Sequence, residues 1–400
     1  MGRDNRFRFE YESAVLRFGT RCVEDLADEL AEHGLERALV VCGSTVGSTP
    51  DVIDPVTDGL GERLAGIFAE TTAAKRLETA VSGLESLREH DADVLVSLGG
   101  GSSLDIAKVI SVLAADDRSP AEVGRELVET GSISVPSGSL MPIVAIPTTL
   151  AGADQSVVAG VTASPSSGLV DEPASGGVSN SRLMPRAVVY DPSLFATTPK
   201  SILAASAMNG FNKGIETLYA RNSTPVTDAT ALRGLRLLQE GLQQFSERDV
   251  DEAMLTSVVE GILLAQYGVS RPDETTLSII HAFGHGLTRT YDVQQGAAHA
   301  IIAPRVLRYL FDTIEGRREL LAEAFHVGDA PDPADAVVKV VEDVRDALDL
   351  PSRLRDVNGP EPKEFPEVAR EILEDPFMAN APPGLEPTQK ELVDVLQKSY

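Results

Sequence analysis

Tryptophan is absent from this 400-residue chain, and lysine is scarce: eight of the 35 basic residues are Lys and 27 are Arg. Acidic residues number 61, giving a formal net charge of −26. So little positive charge excludes a nucleic-acid binder, because phosphate contacts need a basic face. Many carboxylates and few lysines suit a halophilic protein, in which hydrated carboxylates are screened from one another by salt. Only two cysteines occur, Cys22 and Cys42. They cannot form a disulfide framework for a chain of this length and read as inert core residues. No apolar run approaches the roughly 18 residues that cross a membrane, and no charged-then-apolar leader opens the sequence. The expectation is a cytoplasmic protein.

A hydrophobic content of 42% supplies core for two domains. The first half alternates β-rich runs with helical patterns: strands at Arg37–Cys42, Ala92–Leu98 and Met141–Ile146, a helix over about Cys22–His33, and Ala187–Tyr190 before the turn at Asp191 and Pro192. Such alternation predicts a parallel sheet with crossover helices. The Ser-, Gly- and Pro-rich stretch 164–180 reads as a surface loop or hairpin. From about Pro199 the β signals vanish, and 3.6-residue periodicity marks helices in 201–220, 226–246, 251–269, 273–289, 296–312 and 334–348. Short helices and loop follow in 350–387, with a last helix from about Thr388 to Lys398. The expected fold class is α/β plus all-α: a dinucleotide-binding parallel-sheet domain over 1–195, then a helical substrate domain over 196–400.

Gly99, Gly100, Gly101, Ser102 and Ser103 join the second strand to a helix that carries Asp105 and Lys108. Three glycines admit a phosphate close to the backbone, and the helix start directs free N–H groups at it. The serines can cap the helix and donate to phosphate oxygens. Thr148 and Thr149, directly after the third strand, add hydroxyls at the carboxyl edge of the sheet. Gly43 follows the first of these strands, where an acidic residue would bind a ribose 2′-hydroxyl; its bareness leaves room for a 2′-phosphate and favours NADP over NAD. In the second half, His281 and His285 lie four apart and project from one helix face, an arrangement suited to a catalytic site.

Taken together these landmarks resemble the iron-containing, or group III, alcohol dehydrogenases over nearly the whole chain. The carriers are Phe18 and Gly19, the Gly99–Ser102 loop with Asp105 and Lys108, Ile146–Thr149, Tyr190–Pro192, Asn209–Glu216, the two spaced histidines, and Gly296, His299, Ala300 and Pro304. The resemblance implies the dehydroquinate synthase-like two-domain fold, NAD or NADP, hydride transfer, and a homodimer. It also implies a metal sphere of one Asp and three His, positions occupied here by Asn209, Lys213, His281 and Gln295. Amide oxygens replace carboxylate and imidazole poorly, and an ammonium repels a cation. Iron or zinc held in the family's manner is therefore not expected. Asn209, Leu150–Gly152, Glu216–Ala220 and His299–Ala300 are similar to the maleylacetate reductase branch, which implies an oxo-acid substrate.

The resulting expectation is a metal-independent carbonyl reductase. Lys213 would take the place of the metal cation or bind a substrate carboxylate, and His285 would relay the proton. His281 and His299 would line the pocket, and Asn209 would hydrogen-bond substrate oxygens. Two alternatives remain open: a metal-dependent alcohol dehydrogenase with a degenerate sphere, and a non-catalytic nucleotide-binding protein.

Overall fold

Runs of aliphatic and β-branched residues become strands β1 (Val15–Phe18), β2 (Ala38–Gly43), β3 (Leu64–Thr71), β4 (Val94–Gly99), β5 (Ile143–Pro147), β6 (Val158–Ala163), β7 (Ala174–Ser179) and β8 (Ala187–Tyr190) in the computed structural model, which describes residues 6–246, 250–272 and 274–400. Six form one sheet in the order β1-β8-β5-β4-β2-β3, every neighbouring pair parallel. Strands β4, β5 and β8 are buried along their whole length. That is why they read as continuous apolar runs rather than alternating ones. On one face Ala38, Val40, Val94, Val96, Leu98, Val144 and Ile146 pack against Leu26, Leu30, Val52 and Val56 of covering helices. Each fully buried Val, Leu or Ile contributes roughly 1.5–3 kcal/mol. The opposite face is covered by the Gly101–Ala114 helix, buried from Ser103 to Leu113.

Strands β3 and β6 carry no clear run in the sequence. β3, LAGIFAET, is a partly exposed edge strand containing Ala, Gly and Glu. β6 pairs with β7 in a separate antiparallel hairpin, so the 164–180 stretch contains a strand as well as the loop. The chain runs outward from β2 to β3 and then returns to the other side of β2 for β4. Strand order therefore reverses at the carboxyl ends of β2 and β4, marked by Gly43 and Gly99. Ligands of open α/β sheets gather at such a point.

By compactness the chain divides into a sheet unit, Glu12–Thr149 with Ala153–Thr198, and a helical unit from Pro199 to Tyr400. Residues 6–11 and Leu150–Gly152 cluster with the helical unit, a grouping a linear division near residue 195 does not give. Tyr11 packs edge-on against Tyr267, and the Arg271 guanidinium lies over Phe9. At the centre of this unit runs the Lys200–Tyr219 helix, buried without interruption from Gly210 to Tyr219. Other helices of this unit start with side-chain caps: Thr224 with Thr227 for Pro225–Leu242, Asp251 for Glu252–Gln266, and Thr388 with Glu391 for Gln389–Lys398. Arg318–Ala324 is a further short helix that the periodicity did not single out.

The helix expected over 273–289 runs only from Ile279 to Thr288; position 273 lies outside the described residues. Ahead of it a ribbon, β9 (Ser270–Arg271) with β10 (Glu274–Thr275), interrupts the all-helical pattern. The Thr276 amide donates to the Val269 carbonyl and the Leu277 amide to the Thr275 hydroxyl, so helical bonds cannot begin before Ser278.

Candidate active site

The helical unit gathers its polar interior around one helix face. Asn209, Lys213 and Glu216 stand at i, i+4 and i+7 on Lys200–Tyr219 and so share a side. Glu216 is fully buried and lies at the start of the Ile279–Thr288 helix, where its Oε1 accepts the His281 amide at 3.0 Å. A carboxyl there satisfies N–H groups that the first helical turn leaves without partners. Burial pushes the Glu216 carboxyl up to about 8, against the pull of backbone donors from His281, Ser278 and Ile280. Burial likewise holds His281 well below its ordinary value, and the nearby Lys213 charge pushes the same way.

These shifts fit a single proton arrangement. The protonated Glu216 donates through Oε2 to His281 Nδ1, and His281 Nε2 donates to Asn209 Oδ1 at 3.1 Å. Lys213 is 9% exposed and donates from Nζ to the Gly152 carbonyl at 2.5 Å. His299, on Gln295–Thr313, packs edge-on to His281 with ring centroids 4.5 Å apart. It is fully buried, and neither ring nitrogen meets a hydrogen-bond partner among the described residues. Burial keeps His299 well below the usual histidine value, with further lowering from His281, His285 and Lys213. This cluster therefore combines two imidazoles held neutral by burial, an amide and a lysine.

His285 extends the same helix face by one turn. Its Nδ1 lies 2.8 Å from Asp375 Oδ2, and its ring stacks on Phe377 with centroids 5.0 Å apart. Sequence reading gave no role to Asp375 or Phe377, and quoted Gly152 and Glu216 only as parts of motifs. The one available signal is the Asp375–Pro376 pair, which marks a helix start: Asp375 caps the Pro376–Asn380 turn. Gln295, at the first residue of its helix, is half-buried and hydrogen-bonds none of the other three family positions.

A metal fits this donor set badly. The His281 nitrogen that would coordinate already lies 3.1 Å from Asn209 Oδ1, a neutral amide oxygen, and the neighbouring position carries a lysine rather than an imidazole. Among the described residues no group of three or more His, Cys, Asp or Glu side chains could hold a metal ion.

In the sheet unit the carboxyl ends of β2, β4 and β5 bring together Gly43, the Gly99–Ser103 loop, Thr148 and Thr149. Gly99 has φ +123°, a conformation open to glycine and strained for any side chain. The Thr148 amide donates to the Gly99 carbonyl at 3.0 Å, and the Ser103 hydroxyl pairs with that of Thr71 at 3.0 Å. Gly100 N-caps the Gly101–Ala114 helix without a side-chain cap, so a phosphate oxygen can take that place. Asp105 and Lys108, expected at the dinucleotide, each have partners within the protein. Asp105 Oδ2 pairs with Lys75 at 2.6 Å and accepts the Gly160 amide at 3.2 Å. Lys108, fully buried, donates to the Ser156 carbonyl at 2.5 Å and the Val158 carbonyl at 3.1 Å.

Residues 13–192 match the family model for iron-containing alcohol dehydrogenase, and residues 203–400 match that for the C-terminal region of the Fe-containing alcohol dehydrogenase family. The chain belongs to the iron-containing alcohol dehydrogenase family, a family of oxidoreductases. It is 23% identical over 392 residues to alcohol dehydrogenase 4 of Saccharomyces cerevisiae, covering 98% of each chain. To a maleylacetate reductase of Burkholderia cepacia it is 25% identical over 392 residues, covering 98% of this chain and 97% of that one. The crystal structure of sulfoacetaldehyde reductase from Bifidobacterium kashiwanohense in complex with NAD+ superposes with TM-score 0.85 at 20% identity, over 98% of this chain and 99% of that one. No helix among the described residues is long and apolar enough to cross a membrane.

Proposed function

We propose that this protein is a cytoplasmic, homodimeric NAD(P)-dependent oxidoreductase. It transfers hydride between nicotinamide and a small carbonyl or alcohol, with an oxo-acid as the favoured substrate class and without a tightly bound metal. The observation that carries this reading is the buried ammonium of Lys213 beside two neutral imidazoles, His281 and His299. An alkoxide developing on the carbonyl oxygen needs positive charge in a dry environment, and a fixed ammonium supplies it. The same charge suits a substrate carboxylate, in keeping with the likeness to maleylacetate reductase.

When bound, the nicotinamide supplies or accepts the hydride. The Gly99–Ser103 loop, Thr148 and Thr149 hold the dinucleotide, and the bare Gly43 favours a 2′-phosphate and hence NADP. The sulfoacetaldehyde reductase complex supports the cofactor class. His285 delivers the proton to the carbonyl oxygen, and Asn209 and His299 hydrogen-bond substrate oxygens.

The family's name favours the rival reading, a metal-dependent enzyme using Asn209, His281 and water. Purified protein at high salt, assayed on oxo-acids, aldehydes and ketones with NADH and with NADPH, separates the two. Turnover that survives a chelator, in protein lacking stoichiometric metal, is expected. Tightly bound iron or zinc at one per chain, with activity lost on chelation, refutes the proposal.

A further inference from the structure

The histidine assigned to proton relay has a built support that lies far from it in sequence. Asp375 is 3% exposed, and each of its oxygens has a separate task. Oδ1 accepts the Phe377 amide at 3.0 Å and so caps the Pro376–Asn380 turn. Oδ2 faces His285 Nδ1 at 2.8 Å and Arg289 Nη2 at 3.0 Å. Arg289 Nη2 also lies 3.1 Å from His285 Nδ1, but two N–H donors cannot bond each other; the carboxylate between them accepts from both. The turn is fastened to the start of the histidine helix as well. Asn380 donates to the Leu277 carbonyl at 2.9 Å, and the Ser278 hydroxyl donates to the Asn380 carbonyl at 3.0 Å. Phe377 then lies against the imidazole face.

From this geometry we infer that Asp375 is a positioning residue: it keeps hydrogen on His285 Nδ1, so that Nε2 is the nitrogen that takes up a proton from solvent to form the imidazolium and passes it to the substrate oxygen. The inference rests on the proposed relay role of His285. In neutral imidazole only one nitrogen carries hydrogen, and the bond made by the other face decides which. Burial alone would raise the Asp375 carboxyl; the His285 bond and charge, the Phe377 amide and Arg289 outweigh it and hold the group below its usual value. It therefore stays an acceptor at neutral pH. Among the described residues, His285 interacts electrostatically with His281 on its own helix and His299 on the Gln295–Thr313 helix, both of which also feel Lys213 of the central helix, and Arg289 caps the end of its helix. Glu367 and Glu371 of the Phe365–Glu374 helix act on Tyr291.

Asp375→Asn makes a sharp test because the cap dictates which way the amide faces. An oxygen must stay at the Oδ1 site to accept the Phe377 amide, so the new NH2 faces His285 Nδ1 and forces hydrogen onto Nε2. The six histidines, labelled with 15N in the full chain and assigned by single substitutions, report tautomers directly. The expected result is Nδ1–H for His285 in the unaltered protein and Nε2–H in Asp375→Asn. Carbonyl turnover should fall by roughly 10²–10⁴-fold in the variant, with partial recovery in Asp375→Glu. An Nε2–H tautomer in the unaltered protein overturns the inference whether or not the variant folds. So does a folded variant that keeps Nδ1–H. A tautomer that switches while turnover stays unchanged overturns the relay role of His285 instead, so the two failures are distinguishable.

Discussion

Replacing Glu216 by Gln tests the proton arrangement in the helical unit without asking anything of catalysis. The amide reproduces the bonds of the neutral acid: its oxygen accepts the His281 amide, and its NH2 donates to His281 Nδ1. What it removes is titration. Glu216 is raised from 4.5 to about 8 by burial. For a raised group the folded state holds a proton that the unfolded state has released. Its stabilising contribution is thus complete below pH 4.5 and is lost as pH rises to 8. At about 1.4 kcal/mol per pH unit, the stability of the natural protein relative to Glu216→Gln should fall by on the order of 5 kcal/mol across that window. His281 and His299, both lowered, titrate in both proteins and cancel in the difference. In the natural protein alone the His281–Glu216 pair holds one proton folded or unfolded between pH 4.5 and 6.5, so its own contribution is flat there. Above 6.5 it declines by roughly 2 kcal/mol up to pH 8. Urea unfolding of both proteins from pH 4.5 to 8.5 at constant high salt measures this directly. A difference that is independent of pH, or that grows in favour of the natural protein as pH rises, would refute a protonated Glu216.

Three other substitutions probe the remaining assignments. Lys213→Met should lower turnover by roughly 10²–10³-fold under saturating cofactor, with about 1–3 kcal/mol of stability lost because the Gly152 carbonyl loses its donor; unchanged turnover and substrate affinity would sink the metal-substitute idea. Gly99→Ala places a side chain at φ +123°, with its Cβ 3.3 Å from the Ser103 hydroxyl. It should cost roughly 1–3 kcal/mol by urea unfolding and weaken dinucleotide binding in a fluorescence titration. Lys108→Met should loosen the β6–β7 hairpin, seen as faster amide exchange in 158–163, and leave cofactor affinity nearly unchanged; a lost affinity with a protected hairpin would return Lys108 to the dinucleotide.

The sheet, the glycine loop and most helices were legible because each is a local pattern: buried parallel strands are continuous apolar runs, and amphipathic helices repeat every 3.6 residues. Strands such as β3, with half-exposed Ala and Gly, give no such signal. Within the candidate site, residues came to notice through helix spacing or through the family resemblance, which supplied Asn209, Lys213 and His299. His281 and His285 were found by their spacing, whereas Asp375 lies 90 residues from His285 and Glu216 lies 65 from His281. No periodicity links such positions. Asp105 and Lys108 illustrate the converse: they follow the glycine loop in sequence, yet their side chains meet Lys75, Ser156, Val158 and Gly160, partners that local pattern does not reveal.

The four altered positions also admit a charge argument. In the family sphere implied by the sequence, one carboxylate and a divalent cation sum to +1, the imidazoles being neutral. Asn209, Lys213, His281 and Gln295 sum to +1 as well, since His281 is kept neutral by burial and by Lys213 itself. Loss of the acid alone would have left a bound dication with more charge to bury. A lysine added beside an intact aspartate would have made an ion pair with no charge left for a substrate oxygen. Only the joint change keeps the formal charge of these four positions at +1. On the proposed reading Asn209 and Lys213 are therefore coupled. Asn209→Asp should depress turnover nearly as much as Lys213→Met, because the carboxylate would take the ammonium for itself. If the double variant Asn209→Asp with Lys213→His regained activity on adding a divalent metal, the two chemistries would be interchangeable solutions in one scaffold. If Asn209→Asp alone left turnover intact, the charge at these positions would not govern the reaction.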